Sequence, residues 1–138
     1  MDERPIVRDL ENNFLFPCYP KLYKYDYPDT GKRTNKKKPP DSSYTWKGYH
    51  FVIEYKIKGK AIKPHQAEEL VNAYKSGALA FTGIIQPDKS IIFFKLIYKE
   101  NETIELIYND KKSVKLKYQN GWENVDKLLY NLRSLYND

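Results

Sequence analysis

The stretch from Tyr44 to Lys58 constrains this chain more than any other. Two strand-like segments, residues 44–48 and 50–58, meet at Lys47-Gly48, a pair suited to a tight hairpin because glycine adopts positive φ at no steric cost. The second segment carries Phe51-Val52-Ile53, the most apolar part of the hairpin, which belongs in the middle of a sheet rather than at its rim. Glu54 and Lys56 follow directly. Strand side chains alternate with a period of two, so both lie on one face.

The remaining pattern surrounds this hairpin with alternating strands and helices. Residues 6–14 can form a short helix with Ile6, Val7, Leu10 and Phe14 on one face, ended by Pro17 and Pro20. Residues 21–27 alternate Tyr23, Tyr25 and Tyr27 with polar neighbours and read as a strand. Residues 28–40 lose all hydrophobicity and form a basic, Gly- and Pro-punctuated excursion, expected to be exposed and mobile. Pro64 fits the first turn of a helix whose apolar spacing is Ala67, Leu70, Val71 and Tyr74, with Gly77 where a left-handed cap belongs. Strands follow at 78–85 and 90–98, separated by the turn Pro87-Asp88-Lys89, then at 103–108 and 113–118. A last helix from Glu123 places Val125, Leu128, Leu129, Leu132 and Leu135 on one stripe. The class is mixed α/β, a central mixed sheet flanked by helices.

With 138 residues the chain is expected to be one domain, residues 1–138, long enough to bury roughly two-thirds of its unfolded surface. Twenty-four Lys and Arg against 18 Asp and Glu give a net charge of +6, which favours a polyanionic partner. The single Cys18 excludes a disulfide framework and a Cys-rich zinc site, and two isolated histidines, His50 and His65, do not make a metal site. No apolar run approaches 18 residues, and Met1-Asp2-Glu3-Arg4-Pro5 begins neither a signal nor a transit peptide. A cytoplasmic protein without a membrane partner is therefore expected, in the host cytoplasm if the source is viral.

The chemistry concentrates at Pro40-Asp41 and at Glu54-Tyr55-Lys56, 13 residues further on. An acid on one strand and an acid-x-lysine on its hairpin partner bring two carboxylates and an ammonium to one edge of a sheet. Two carboxylates suit a hard divalent cation that keeps several waters and still coordinates phosphate oxygen. The lysine can offset charge developing on the phosphate. Pro87-Asp88 followed by Asp110-Lys111-Lys112 fits the same spacing, but those acids fall in polar turns and no apolar strand leads into Asp110. A solvated hairpin with a surface Glu–Lys pair would carry the same letters and contribute little to stability. Gln66, at the start of the following helix, could reach the same metal or its water. Lys56, Lys58, Lys60 and Lys63 form a basic approach, and Lys32, Arg33, Lys36, Lys37 and Lys38 lead straight into Asp41 as candidate phosphate contacts.

Residues 41–56 as a whole resemble the active-site hairpin of RecU-type Holliday junction resolvases, in which an Asp, a Lys-Gly turn and a Glu-x-Lys recur at this separation. The resemblance continues through His65-Gln66, the helix closing at Gly77, and Ala80-Phe81; upstream, Lys24-Tyr25-Asp26-Tyr27-Pro28 is similar to the strand entering that family's stalk. It covers about residues 19–85. It implies the restriction-endonuclease-like fold of the PD-(D/E)xK nucleases and a homodimer that nicks four-way DNA junctions symmetrically with magnesium, for which manganese can substitute. Carried over, Asp41, Glu54 and Gln66 are metal ligands, Lys56 stabilises the transition state, and residues 28–40 form a stalk-like loop. The chain departs from the family at Pro39, where the family has Thr, and in a shorter stalk, a shorter connection between Glu54 and Gln66, and a curtailed N-terminal helix. Two other readings share the fold: a nuclease acting on flaps, ends or single strands, and a non-catalytic DNA-binding module. The intact Asp41, Glu54 and Lys56 argue against the second.

Overall fold

A computed structural model describes residues 2–25 and 40–137. In chain order the strands are β1 (Tyr23–Lys24), β2 (Ser42–Trp46), β3 (Tyr49–Ile57), β4 (Leu79–Ile85), β5 (Ile91–Lys95), β6 (Tyr98–Glu100), β7 (Ile104–Leu106) and β8 (Ser113–Leu116). The helices are α1 (Glu3–Asp9), α2 (Phe16–Cys18), α3 (Pro64–Lys75) and α4 (Leu128–Ser134). Six strands form one mixed sheet in the order β1-β2-β3-β4-β5-β8, and β6 and β7 pair separately.

The β2–β3 hairpin closes where the sequence says it should. Lys47 and Gly48 both take positive φ, 50° and 80°, which matches the twist of the flanking strands. The ladder runs from Trp46↔Tyr49 to Ser42↔Ile53. β3 and β4 are parallel, a pairing that requires a crossover, and α3 supplies it. Its end is set by Gly77 at φ 104°.

Alternation along β3 divides the core in two. Phe51, Ile53 and Tyr55 face a cluster built with Leu10 and Leu15 near the N-terminus and Leu128, Leu129 and Leu132 near the C-terminus. Val52 faces the other way, onto Leu70 and Val71 of α3 with Ala80 and Leu96. Glu54 and Lys56 share the parity of Val52 and therefore lie on the α3 side. Gly83 fixes this stretch from behind: its Cα partner is Tyr55, and a Cβ there would stand 2.8 Å from the Tyr55 ring. Tyr55 is thus buried over a bare backbone, edge-on to Phe93.

Several elements differ from the sequence expectation. The N-terminal helix starts at Glu3, widens to π geometry over Leu10–Leu15 and runs on without a break into α2, so Pro17 lies inside it rather than ending it. The strand expected at 21–27 pairs only at Tyr23 and Lys24 among the described residues. The strand expected at 90–98 divides. Leu96 turns into the α3 cluster, and Tyr98–Glu100 leaves the sheet to pair with Ile104–Leu106 against α3. The last helix opens as a 3₁₀ turn at Val125–Lys127, after Asn124 in the left-handed region. Its apolar stripe is largely spent inside the chain, with Val125, Leu128, Leu129 and Leu132 buried and Leu135 half-buried. Lys32, Arg33, Lys36, Lys37 and Lys38 lie outside the described residues. Among the described residues, no helix is long and apolar enough to cross a membrane.

Candidate active site

Asp41 immediately precedes β2, and extending the ladder by one step sets it opposite Glu54. Two contacts fix the pair: the Asp41 N–H donates to Glu54 Oε2 at 3.1 Å, and the Tyr55 N–H donates to Asp41 Oδ2 at 3.2 Å. Glu54 is 2% exposed, whereas Asp41 reaches solvent. Burial, then the neighbouring Asp41 carboxylate, push the Glu54 carboxyl up to about 9, against a smaller downward pull from Lys56. Lys56 stands half-buried two residues further along the same face.

A carboxyl that holds its proton because it is buried and faces another carboxylate lacks a counter-charge. That donor set fits a hard divalent cation. Among the described residues no group of three His, Cys, Asp and Glu side chains is arranged around one point, so water would complete the coordination, as magnesium prefers. Gln66 borders the same cavity, but its Oε1 accepts the Lys63 N–H at 3.0 Å and caps α3.

Sequence reading missed what the N-terminal helix contributes. A cavity of about 300 Å³ is bordered by Asp41, Ser42, Glu54 and Gln66 on one side and by Glu3, Arg4, Arg8 and Glu11 on the other, with Lys24 between. The Glu3 carboxyl is raised, first by burial and then by Asp41, which places the start of α1 within electrostatic reach of the acidic pair. The signal was present in the letters: Arg4 and Arg8 stand four apart, as do Glu3, Val7 and Glu11, on the stripe beside the apolar Ile6 and Leu10.

Glu11 is 3% exposed and gathers three donors from two strands. Lys24 Nζ lies at 2.6 Å, Ser42 Oγ donates at 3.2 Å, and the Tyr44 hydroxyl donates a further short bond. This carboxylate fastens the π stretch to β1 and to the start of β2, next to Asp41. Removing it takes the acceptor from the buried Ser42 and Tyr44 hydroxyls. Glu11→Ala should lower unfolding free energy by about 2–3 kcal/mol, the smaller side of a broken buried pair because Lys24 can turn to water; urea denaturation checks this, and wild-type stability would refute the buried-anchor role.

Glu54 also makes stability depend on pH. Its folded value of about 9 lies above the ordinary 4.5, so the folded state keeps a proton that the unfolded chain releases. The contribution is complete below about pH 4.5 and is lost as pH rises through about 9. In chelator, unfolding free energy should fall across that window by at most about 1.4 kcal/mol per pH unit, seen as a falling melting temperature. Glu54→Gln should flatten the slope. A slope that survives the substitution belongs to another group.

Lys58 and Lys60 are exposed where the chain leaves β3, in a turn held by Gly59 at φ 96° and by the Lys60 N–H on the Ile57 carbonyl. No family model matches the chain, and no curated protein matches it. Among solved structures the chain is similar to Hjc of Archaeoglobus fulgidus, a Holliday junction resolvase from an archaeal hyperthermophile. The TM-score is 0.53 at 20% identity, over 76% of this chain and 87% of that one. The likeness is one of fold. It bears out the restriction-endonuclease-like architecture.

Proposed function

We propose that this chain is a magnesium-dependent endonuclease that resolves four-way DNA junctions by paired nicks during recombination and repair, working as a homodimer in the cytoplasm. The observation that carries the reading is the Asp41–Glu54 pair, with Lys56 on the same face, on a fold shared with a junction resolvase. Asp41 and Glu54 would hold magnesium or manganese, with Gln66 beside them, and the ion would polarise the scissile phosphate and acidify its attacking water.

The chain's own residues supply the rest. Lys56 offsets negative charge that grows on the phosphate in the transition state. Arg4 and Arg8 line the cavity with cations, which favours a phosphodiester backbone over a neutral ligand, while Lys24 is engaged by Glu11. Lys58 and Lys60 extend that positive track along the strand. Two nicks related by a twofold axis need two such sites, hence a dimer.

The decisive experiment compares a four-way junction with a linear duplex of the same sequence, with and without magnesium. Symmetric nicks in the junction alone, in magnesium alone, are expected, from a species sedimenting at twice 16.4 kDa. Equal cutting of linear, flapped or single-stranded DNA would overturn the junction specificity. Junction binding without cutting would leave a DNA-binding module instead.

A further inference from the structure

A second cavity, of about 590 Å³, opens on the face of the sheet that carries Glu54 and Lys56. Lys56 is paired with Ile84 on β4, and Ile84 with Ile92 on β5. Neighbouring strands lie about 4.8 Å apart, so the floor of this groove begins one strand away from Lys56. Ile84, Ile92 and Phe94 form that floor. The facing wall is Ile104 and Leu106 of the β6–β7 hairpin, continued by Tyr108.

The walls are held apart by contacts outside the groove. Tyr98 of β6 meets Tyr74 of α3 edge-on at 6.3 Å between centroids, and Lys75 pairs with Glu100 at 2.9 Å. Ala61 and Ala67, at the α3 end, are too small to fill the space between. Tyr108 stands 46% exposed, with its ring edge-on to Phe94 at 5.2 Å. Lys58 and Lys60 stand at the mouth.

The groove is therefore apolar and aromatic inside, cationic at its rim, and adjacent to the proposed cutting site. An apolar peptide would gain nothing from the two lysines, and a simple anion nothing from the interior. A nucleotide uses both: a flat base stacks on an aromatic side chain and its phosphates meet the ammonium groups. A base paired within a duplex cannot present its face in this way. We infer that the groove takes one unpaired nucleobase, from a nucleotide next to the scissile phosphate, with Tyr108 as its stacking platform and Lys58 and Lys60 on the flanking phosphates. This rests on the nuclease reading above and adds to it a requirement for a locally unstacked strand.

The test is a double cycle between protein and DNA. Wild type and Tyr108→Ala are titrated, without divalent cation, against four-way junctions that are complete or carry one abasic site. The abasic site is stepped through the two nucleotides on either side of the cut. At one position, loss of the base should weaken wild-type binding about tenfold, and Tyr108→Ala should weaken binding to the complete junction by the same factor. Combined, the two changes should cost no more than either alone. Tyr108→Phe should restore the affinity, because the ring is what stacks. Multiplying effects, or no abasic position that matters to wild type, would overturn the inference. So would a halved sedimentation mass for Tyr108→Ala, which would make the groove an interface between copies. Junction cutting with a non-coupled cycle defeats the groove alone, whereas wild type that neither binds nor cuts a junction defeats the nuclease reading first.

Discussion

Asp41→Asn and Glu54→Gln should each reduce junction cleavage by roughly three orders of magnitude or more, while junction binding stays near wild type or tightens. Both substitutions preserve the local frame. An amide oxygen at position 41 still accepts the Tyr55 N–H, and one at position 54 still accepts the Asp41 N–H. Glutamine is also close to what the cation-free site already holds, since the buried Glu54 keeps its proton at neutral pH. What each change removes is a ligand charge. The loss weakens the divalent cation at either position, and at position 41 it also removes a carboxylate that repels the phosphate backbone, whereas position 54 is already neutral without the cation. Cleavage should thus fall while binding holds, for Glu54→Gln, or tightens, for Asp41→Asn, a pairing that misfolding cannot produce. Single-turnover cleavage and gel-shift titration on the same junction measure the two quantities. Cutting at the wild-type rate by either variant would show that the site lies elsewhere.

The parts legible in the sequence are those with a local cause. The β2–β3 hairpin follows from Lys47-Gly48, α3 from Pro64 and Gly77, and the shared face of Glu54 and Lys56 from strand alternation. The pairing of Asp41 with Glu54 is readable because a two-residue turn fixes the register of everything on either side of it. Tertiary causes were not legible. Leu96 breaks the strand expected at 90–98 because α3 offers its side chain a buried place, and nothing within that run announces the break. Glu11 reads as one more surface acid of an amphipathic helix. Only the fold, by bringing Lys24, Ser42 and Tyr44 to it, makes it an interior residue. The same holds for Arg4 and Arg8, whose spacing was plain but whose neighbours across the cavity come from strands far along the chain. The split of 90–98 also creates the hairpin that walls the second groove.

Replacing Lys32, Arg33, Lys36, Lys37 and Lys38 together with Ser should weaken junction binding strongly and flatten its salt dependence. Covalent geometry constrains where these cations can act. Their segment lies in sequence between Tyr25, whose N–H bonds the Ser43 carbonyl, and Pro40, the residue before Asp41. At no more than about 3.6 Å per residue, Lys38 lies within roughly 11 Å of Asp41 and Lys36 within roughly 18 Å. Those distances span the backbone on either side of a phosphate held at Asp41 and Glu54. Each phosphate left without its cation should reduce the slope of log affinity against log salt by about 0.9, to a ceiling of about 4.5 for all five. The segment holds no apolar anchor, so thermal stability should stay within about 1 kcal/mol of wild type, as for other surface changes. The informative quantity is the ratio of junction to linear-duplex affinity across a salt series. A positive patch without shape weakens both substrates alike, because every duplex offers the same phosphates. A segment that borders the open centre of a junction meets phosphates from more than one arm, and its loss must lower the junction affinity more. An unchanged ratio would reduce these five residues to unspecific electrostatic attachment, and the preference for branched DNA would then have to come from the dimer's geometry alone.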